Sequence, residues 1–258
     1  RFISAKAIEF TNKKNVILSF SEIVIYSGLN RQLDFAYFNP ISTHLEIELN
    51  DRQNSLGSES GNAVWQFSLD CMLTNKIRFA LNYAIDEWVL DEVEKSDGER
   101  SHLGLSTKAS YLFKKTENSI ITFYTSFMGV GTKTFRHSVG SNNFVQRDLP
   151  LGSSFGSDGF QLNAGLYYLN FDHMVCDLNF GVREYGEESL KYRPDYPYDH
   201  RISKEFPSCQ INKLFFIKNS VDYIYNKNLF FNINLEYSKT NENKSNISIF
   251  TAIHFLIN

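Results

Sequence analysis

The sequence predicts an all-β protein, an antiparallel up-and-down transmembrane β-barrel. Three observations point to it. Eleven long segments alternate apolar and polar residues with a period of two. Each runs about a dozen residues, whereas ordinary strands run about 5–6 and membrane-spanning strands roughly 9–11. The connections alternate between tight turns and mostly long polar loops. Barrels that cross a membrane show this asymmetry, with short turns on one side and long loops on the other.

The totals agree. The 258 residues suffice for one barrel domain over 1–258, and 23 Phe and 14 Tyr supply strand-forming aromatics. Only five prolines interrupt the ladders. A net charge of −3 gives no basic excess for nucleic acid. No apolar run is long enough for a spanning helix. Cys71 and Cys176 fall on apolar strand faces and Cys209 near a loop end, without metal-ligand or disulfide spacing. No cofactor or metal is expected.

The first hairpin joins 2–11 to 15–26 through Asn12-Lys13-Lys14. Residues 27–61 are polar and irregular, with a short alternating strand expected at His44–Leu49. The next hairpin, 62–88, is the most regular. Trp65, Phe67, Leu69, Cys71 and Leu73 share one face, opposite Asn62, Gln66, Ser68, Asp70 and Thr74. On its second strand Ile77, Phe79, Leu81, Tyr83 and Ile85 oppose Lys76, Arg78, Asn82 and Asp86.

After an acidic loop (Asp91, Glu92, Glu94, Asp97, Glu99), strands 102–113 and 119–128 meet at Lys115–Asn118. A long loop leads to strands 160–169 and 174–183, turned at Asn170-Phe171-Asp172. A tyrosine-bearing loop (Tyr185, Tyr192, Tyr196, Tyr198) precedes strands 211–225 and 229–238, turned at Asn226-Lys227-Asn228. The last strand covers 246–257. Tyr83, Trp88, Tyr111, Phe113, Tyr168, Phe171, Tyr223, Tyr225, Tyr237 and Phe255 fall near strand ends, where interfacial girdles lie. Eleven strands put the two ends on opposite sides of a membrane. A closed barrel therefore requires an odd number of further strands upstream, and the chain reads as the C-terminal part of a larger barrel.

Few residues suggest chemistry. Asp86 and Glu87 are adjacent in a strand, so they are expected to point to opposite faces, Asp86 inward and Glu87 at the rim. That disfavours a catalytic pair. Thr132–His137, Arg147–Gly152 and Gly156–Gly159 crowd one loop. Arg136, His137, Arg147 and Asp158 there suit an anionic sugar, or equally a loop held folded over the lumen. His102 and His254 fall on the polar face. No nucleophile elbow accompanies them, and no catalytic residue is assigned.

Glu22–Tyr26, Tyr37-Phe-Asn-Pro-Ile41, Asn62 opening a strand, Ile85-Asp-Glu-Trp88, Thr134-Phe-Arg-His137, and Leu149-Pro-Leu-Gly152 followed by Gly156-Ser-Asp158 occur in a telling order. Over about residues 20–185, and more loosely to the end, the chain resembles the capsule-assembly (Wzi-like) outer-membrane proteins. Where that family's Thr-Tyr-x-His stretch has Tyr, this chain has Phe135. The resemblance implies a barrel of roughly eighteen strands in the bacterial outer membrane. It also implies a non-catalytic role in holding capsular or exopolysaccharide at the cell surface.

The expected partners are outer-membrane lipid and surface polysaccharide, with the protein a monomer. Expected ligand-binding residues are Arg78, Asp86, Arg136, His137, Arg147, Asp158 and Arg183. Asn82, Lys108, Asn163, Asp177 and Asn179 are expected to line the lumen beside them. A porin-like or transport channel and a barrel hydrolase are the alternatives.

Overall fold

The structure is a computed structural model. It describes residues 1–29, 31–44, 47, 61–89, 101–147, 149–190, 205–226, 228–242 and 244–255. The loop residues Asp91, Glu92, Glu94, Asp97, Glu99, Tyr192, Tyr196 and Tyr198 lie outside them.

Eleven long strands form one antiparallel sheet: β1 (Phe2–Thr11), β2 (Val16–Tyr26), β3 (Asn62–Met72), β4 (Ile77–Glu87), β5 (His102–Lys115), β6 (Ser119–Val130), β9 (Gly159–Asn170), β10 (Met174–Tyr185), β11 (Asn212–Asn226), β12 (Leu229–Thr240) and β13 (Ser245–Phe255). A separate two-stranded ribbon, β7 (Val145–Gln146) with β8 (Leu149–Pro150), sits in the loop after β6. Each long strand pairs with its neighbour in sequence, with β6 pairing β9 across that loop. Among the described residues the sheet does not close, and β1 and β13 are its edges.

Local chemistry sets the short turns. Asn12 Oδ1 accepts the N–H groups of Lys14, Asn15 and Val16, and Lys13 takes φ +56°. Thr74, Thr116, Asn170 and Asn226 likewise close their turns by accepting backbone N–H groups two or three residues ahead. Such side chains replace a backbone acceptor where the chain reverses.

One face is apolar and open. Ile8, Phe10, Leu18, Phe67, Leu105, Phe123, Leu162, Phe180, Val182 and Ile217 all remain exposed on it. The other face is polar and concave: Asp70 on β3 and Asp177 on β10 line one pocket although four strands lie between them. Rows of exposed apolar residues on every strand, opposite a polar concave face, are what membrane-spanning strands require.

Two segments fold back at the loop end, one onto each face. On the apolar face a 3₁₀ turn at Phe35–Phe38 brings Tyr37 onto Tyr26, with ring centroids 4.4 Å apart. Tyr26, Tyr37, Val24, Ile47 and Ala63 form a small buried cluster there. The alternating stretch 44–49 is not a strand where it is described. His44 and Ile47 are helical, with the Ile47 N–H bonded to the Thr43 carbonyl, and the other four residues lie outside the described set. Burial of Ile47 against this cluster explains the helical turn. On the polar face, Ile25, Val64 and Phe144 form a second cluster with Phe135 and Leu151 from the loop after β6.

A second correction concerns the end of β4. A bulge between Ile85 and Glu87 leaves Asp86 without a register partner and sets Glu87 opposite His102, a polar-face residue. Glu87 Oε2 lies 2.9 Å from His102 Nδ1. The extra residue breaks the alternation, so the two carboxylates do not point to opposite faces.

Candidate functional site

The loop after β6 closes over the loop end of the polar face. Gly131 N–H and the Thr134 hydroxyl both donate to the Leu103 carbonyl. Phe135 then turns at φ +71°, and its N–H donates to Asp86 Oδ2 at 2.6 Å. The Phe135 ring rests where Gly104 and Gly152 present no side chain, 5.6 Å from the Phe144 ring. Asn62, at the start of β3, donates to the carbonyls of Arg136 (3.4 Å) and Asn142 (3.1 Å). Asp86, half-buried, and Asn62, buried, therefore hold the loop down.

Asp158 locks this loop to the next one. It is fully buried, at φ +60°, a conformation that Asp tolerates better than most residues. Its Oδ1 accepts the Thr132 hydroxyl (2.9 Å) and the Ser208 N–H (3.0 Å), and its Oδ2 accepts the Ser208 hydroxyl (2.5 Å). Its own N–H donates to the Gly131 carbonyl, and its carbonyl accepts the Gly186 N–H. The buried Arg136 donates through Nη1 to the Glu188 carbonyl at 3.0 Å. His137 accepts the Val139 N–H at Nδ1, which puts any single ring proton on Nε2. Arg147 is exposed at the tip of the β7–β8 ribbon. Of the four loop residues singled out in the sequence, Arg136 and Asp158 are thus engaged in holding loops together. Burial pushes the nearby Cys209 thiol above its ordinary pKa, away from thiolate chemistry.

Toward the turn end of the same face the strands leave a polar pocket of about 500 Å³. It is lined by Asp70, Arg78, Lys108, Tyr124, Tyr167 and Asp177, with Ser110 and Thr122. Arg78 grips Asp70 with two parallel bonds, Nε–Oδ1 at 2.8 Å and Nη2–Oδ2 at 2.5 Å. The Lys108 ammonium lies 4.5 Å from the centre of the Tyr124 ring. The Tyr124 hydroxyl donates to Asp177 Oδ1 (2.8 Å) and accepts from Asn179 Nδ2 (3.0 Å). Register brings these groups together: Tyr124 stands opposite Gly165, and Tyr167 opposite both Thr122 and Asp177. Glycine at 165 leaves space for the Tyr124 ring to lie across β9.

Arg183 sits nearer the loops. Its Nε donates to Gln161 (2.7 Å) and its Nη2 to Ser154 (3.2 Å), and its guanidinium lies 5.6 and 5.7 Å from the centres of the Phe155 and Phe216 rings. The seven residues singled out in the sequence therefore do not form one site. Arg78 lines the pocket, Arg183 and Asp86 lie beneath the loop, and the remaining four belong to the loop. The sequence reading missed Tyr124. Its position between Thr122 and Ser126, opposite in face to Phe123 and Phe127, was the available signal.

The pocket offers fixed carboxylate acceptors, two cationic donors and two phenol rings. That set suits a ligand rich in hydroxyls, with ring faces for stacking and room for anionic groups. Among the described residues no group of His, Cys, Asp and Glu is placed to hold a metal ion.

No protein-family model matches the sequence. No curated protein sequence matches it either. Among solved structures, the chain is similar to Wzi of Escherichia coli, described as an outer-membrane protein involved in group 1 capsule assembly and a carbohydrate-binding β-barrel. The TM-score is 0.63 at 14% identity, covering 96% of this chain and 50% of that one. The chain thus spans about half the length of Wzi. Looser overlaps occur with LpxR from Salmonella typhimurium (TM-score 0.33, 12% identity, 97% of this chain and 87% of that one) and a Pseudomonas aeruginosa FadL homologue (TM-score 0.33, 8% identity, 96% and 64%). The first likeness establishes the fold: an antiparallel sheet of outer-membrane-barrel type.

Proposed function

We propose that the chain is part of a Wzi-like barrel in the bacterial outer membrane that binds or organises surface polysaccharide without catalysis. The polar pocket carries the reading. It gathers Arg78, Lys108, Asp70 and Asp177 around two tyrosine rings on the face that a barrel turns toward its lumen. The fold likeness to a carbohydrate-binding barrel supports the same ligand class. In this reading the apolar face meets membrane lipid, the long loops face outward, and the protein acts as a monomer.

Retention of the folded protein on immobilised acidic polysaccharide tests the proposal. Each of Arg78→Ala and Lys108→Ala removes a charged donor worth about 1.5–3 kcal/mol, so each should weaken retention roughly tenfold or more. Arg147→Ala, at an exposed loop tip outside the pocket, should have a smaller effect. Equal retention by the wild type and both pocket variants would overturn the pocket assignment. No retention by folded protein, with ion conductance in planar bilayers, would favour a channel.

A further inference from the structure

We infer that residues 33–41 form an interfacial membrane anchor, with the rings of Phe35 and Phe38 seated in the headgroup region of the lipid at the loop end of the barrel. The inference rests on the reading that the strands span a membrane and adds a second, non-strand contact with lipid.

The segment is firmly attached to the sheet. Tyr37 is buried on Tyr26, its carbonyl accepts the Ser4 hydroxyl (2.8 Å), and Lys6 Nζ donates to the Ser42 carbonyl. Asp34 caps the 3₁₀ turn by accepting the Ala36 N–H at 2.9 Å. With Tyr37 turned inward, the adjacent rings are forced outward. Phe35 is 77% and Phe38 54% exposed, with ring centres 6.1 Å apart, and Ile41 beyond them is 89% exposed. Large apolar side chains held together in the open mark an interaction surface.

Its place in the fold identifies the partner. The segment lies over the loop-end part of the apolar face of β1–β3, where Tyr26 and Ala63 pack under it. Ile8, Phe10, Leu18 and Phe67 continue that face toward the turns and are exposed. The segment and His44 beyond it also cover the charged groups that this face carries in the loop-ward half of β1–β3. Glu22, only 2% exposed, meets Lys6 Nζ (2.7 Å), His44 Nδ1 (2.9 Å) and Trp65 Nε1 (2.7 Å) between sheet and segment. Below this ion cluster the face is suited to hydrocarbon. The irregular backbone of 33–41 is not, because unpaired N–H and C=O groups are excluded from the bilayer core. Aromatic rings on a polar, irregular segment at this level belong at the headgroup boundary.

Tryptophan quenching by brominated lipid tests the depth. Phe35→Trp and, as a second reporter, Phe38→Trp are placed in the whole chain and reconstituted into phosphatidylethanolamine/phosphatidylglycerol vesicles. Bromines sit either near the headgroup or deep in the acyl chains, and the signal of the parent, from Trp65 and Trp88, is subtracted. Phe180→Trp, at mid-strand on the apolar face, serves as the spanning control. The anchor predicts stronger quenching at positions 35 and 38 by shallow than by deep bromines, and the reverse at position 180. Quenching at 180 with none at 35 and 38 would overturn the anchor alone, indicating that protein or water covers the patch. A folded protein quenched at none of the three would overturn the membrane reading as well.

Discussion

An Asp158→Ala variant is expected to free the two long loops from each other while the barrel strands stay intact. Its carboxylate answers three donors: the Thr132 hydroxyl, the Ser208 N–H and the Ser208 hydroxyl. The two Ser208 donors are removed from water here, since Asp158 and Ser208 are fully buried, while Thr132 is half-buried. A buried donor left without an acceptor costs about 1–3 kcal/mol, so these two together put the loss at roughly 2 kcal/mol or more. Alanine also adopts the left-handed backbone at 158 less readily than Asp. The loss is local because Asp158 joins loops and pairs with no strand. Limited proteolysis should reveal new cleavage within 131–158 and beyond 185, and hydrogen exchange should rise there and not in β3–β6. Unchanged protection of both loops would remove Asp158 from this role. Asp158→Asn keeps one acceptor oxygen and should show a smaller effect.

The second large effect is expected from Gly165→Ala. A glycine-to-alanine change ordinarily stabilises by about 0.4–1 kcal/mol through the unfolded chain. Here a Cβ would lie 2.5 Å from the Tyr124 ring and 2.6 Å from the Leu178 carbonyl oxygen. The ring can move, but the carbonyl belongs to the β9–β10 ladder and can yield only if the ladder distorts. Overpacking of this kind costs about 1–3 kcal/mol, which outweighs the gain. Displacing Tyr124 also breaks its bond to Asp177 and moves its ring from Lys108. The variant should therefore unfold at lower temperature by heat-modifiable gel migration and bind polysaccharide less well. Tyr124→Phe keeps the ring and loses only the hydroxyl bonds, so it should cost about 1 kcal/mol. A Gly165→Ala variant as stable as the parent would mean that this part of β9 does not pack as described.

The strands were legible because the information that makes them is local. Alternation assigns each side chain a face, and Asn and Thr at the turns close hairpins between adjacent segments. The bulge at Asp86 was not legible, because nothing in Ile85-Asp86-Glu87 marks the extra residue; its carboxylate bonds Phe135, 49 positions away. His44 and Ile47, expected in a strand, depart from it for a related reason. The alternation over 44–49 is real, but the packing of Ile47 under the apolar-face cluster decides its conformation. For Asp158 the sequence left open whether a loop acid would bind ligand or hold the loop. Ser208, 50 positions on, supplies the two donors that decide it.

By itself, then, the sequence determined the class of fold, the order of the strands and the polarity of each face. A period-two pattern and a tight turn suffice for these, since both act between neighbours. The tertiary structure decided which polar residues meet. Asp70, Tyr124 and Asp177 share a pocket because strand register and the concavity of the sheet bring them there, while Asp86, Arg136 and Asp158 are absorbed in fastening loops. Both outcomes depend on contacts between residues far apart in the chain, and no local pattern encodes those distances.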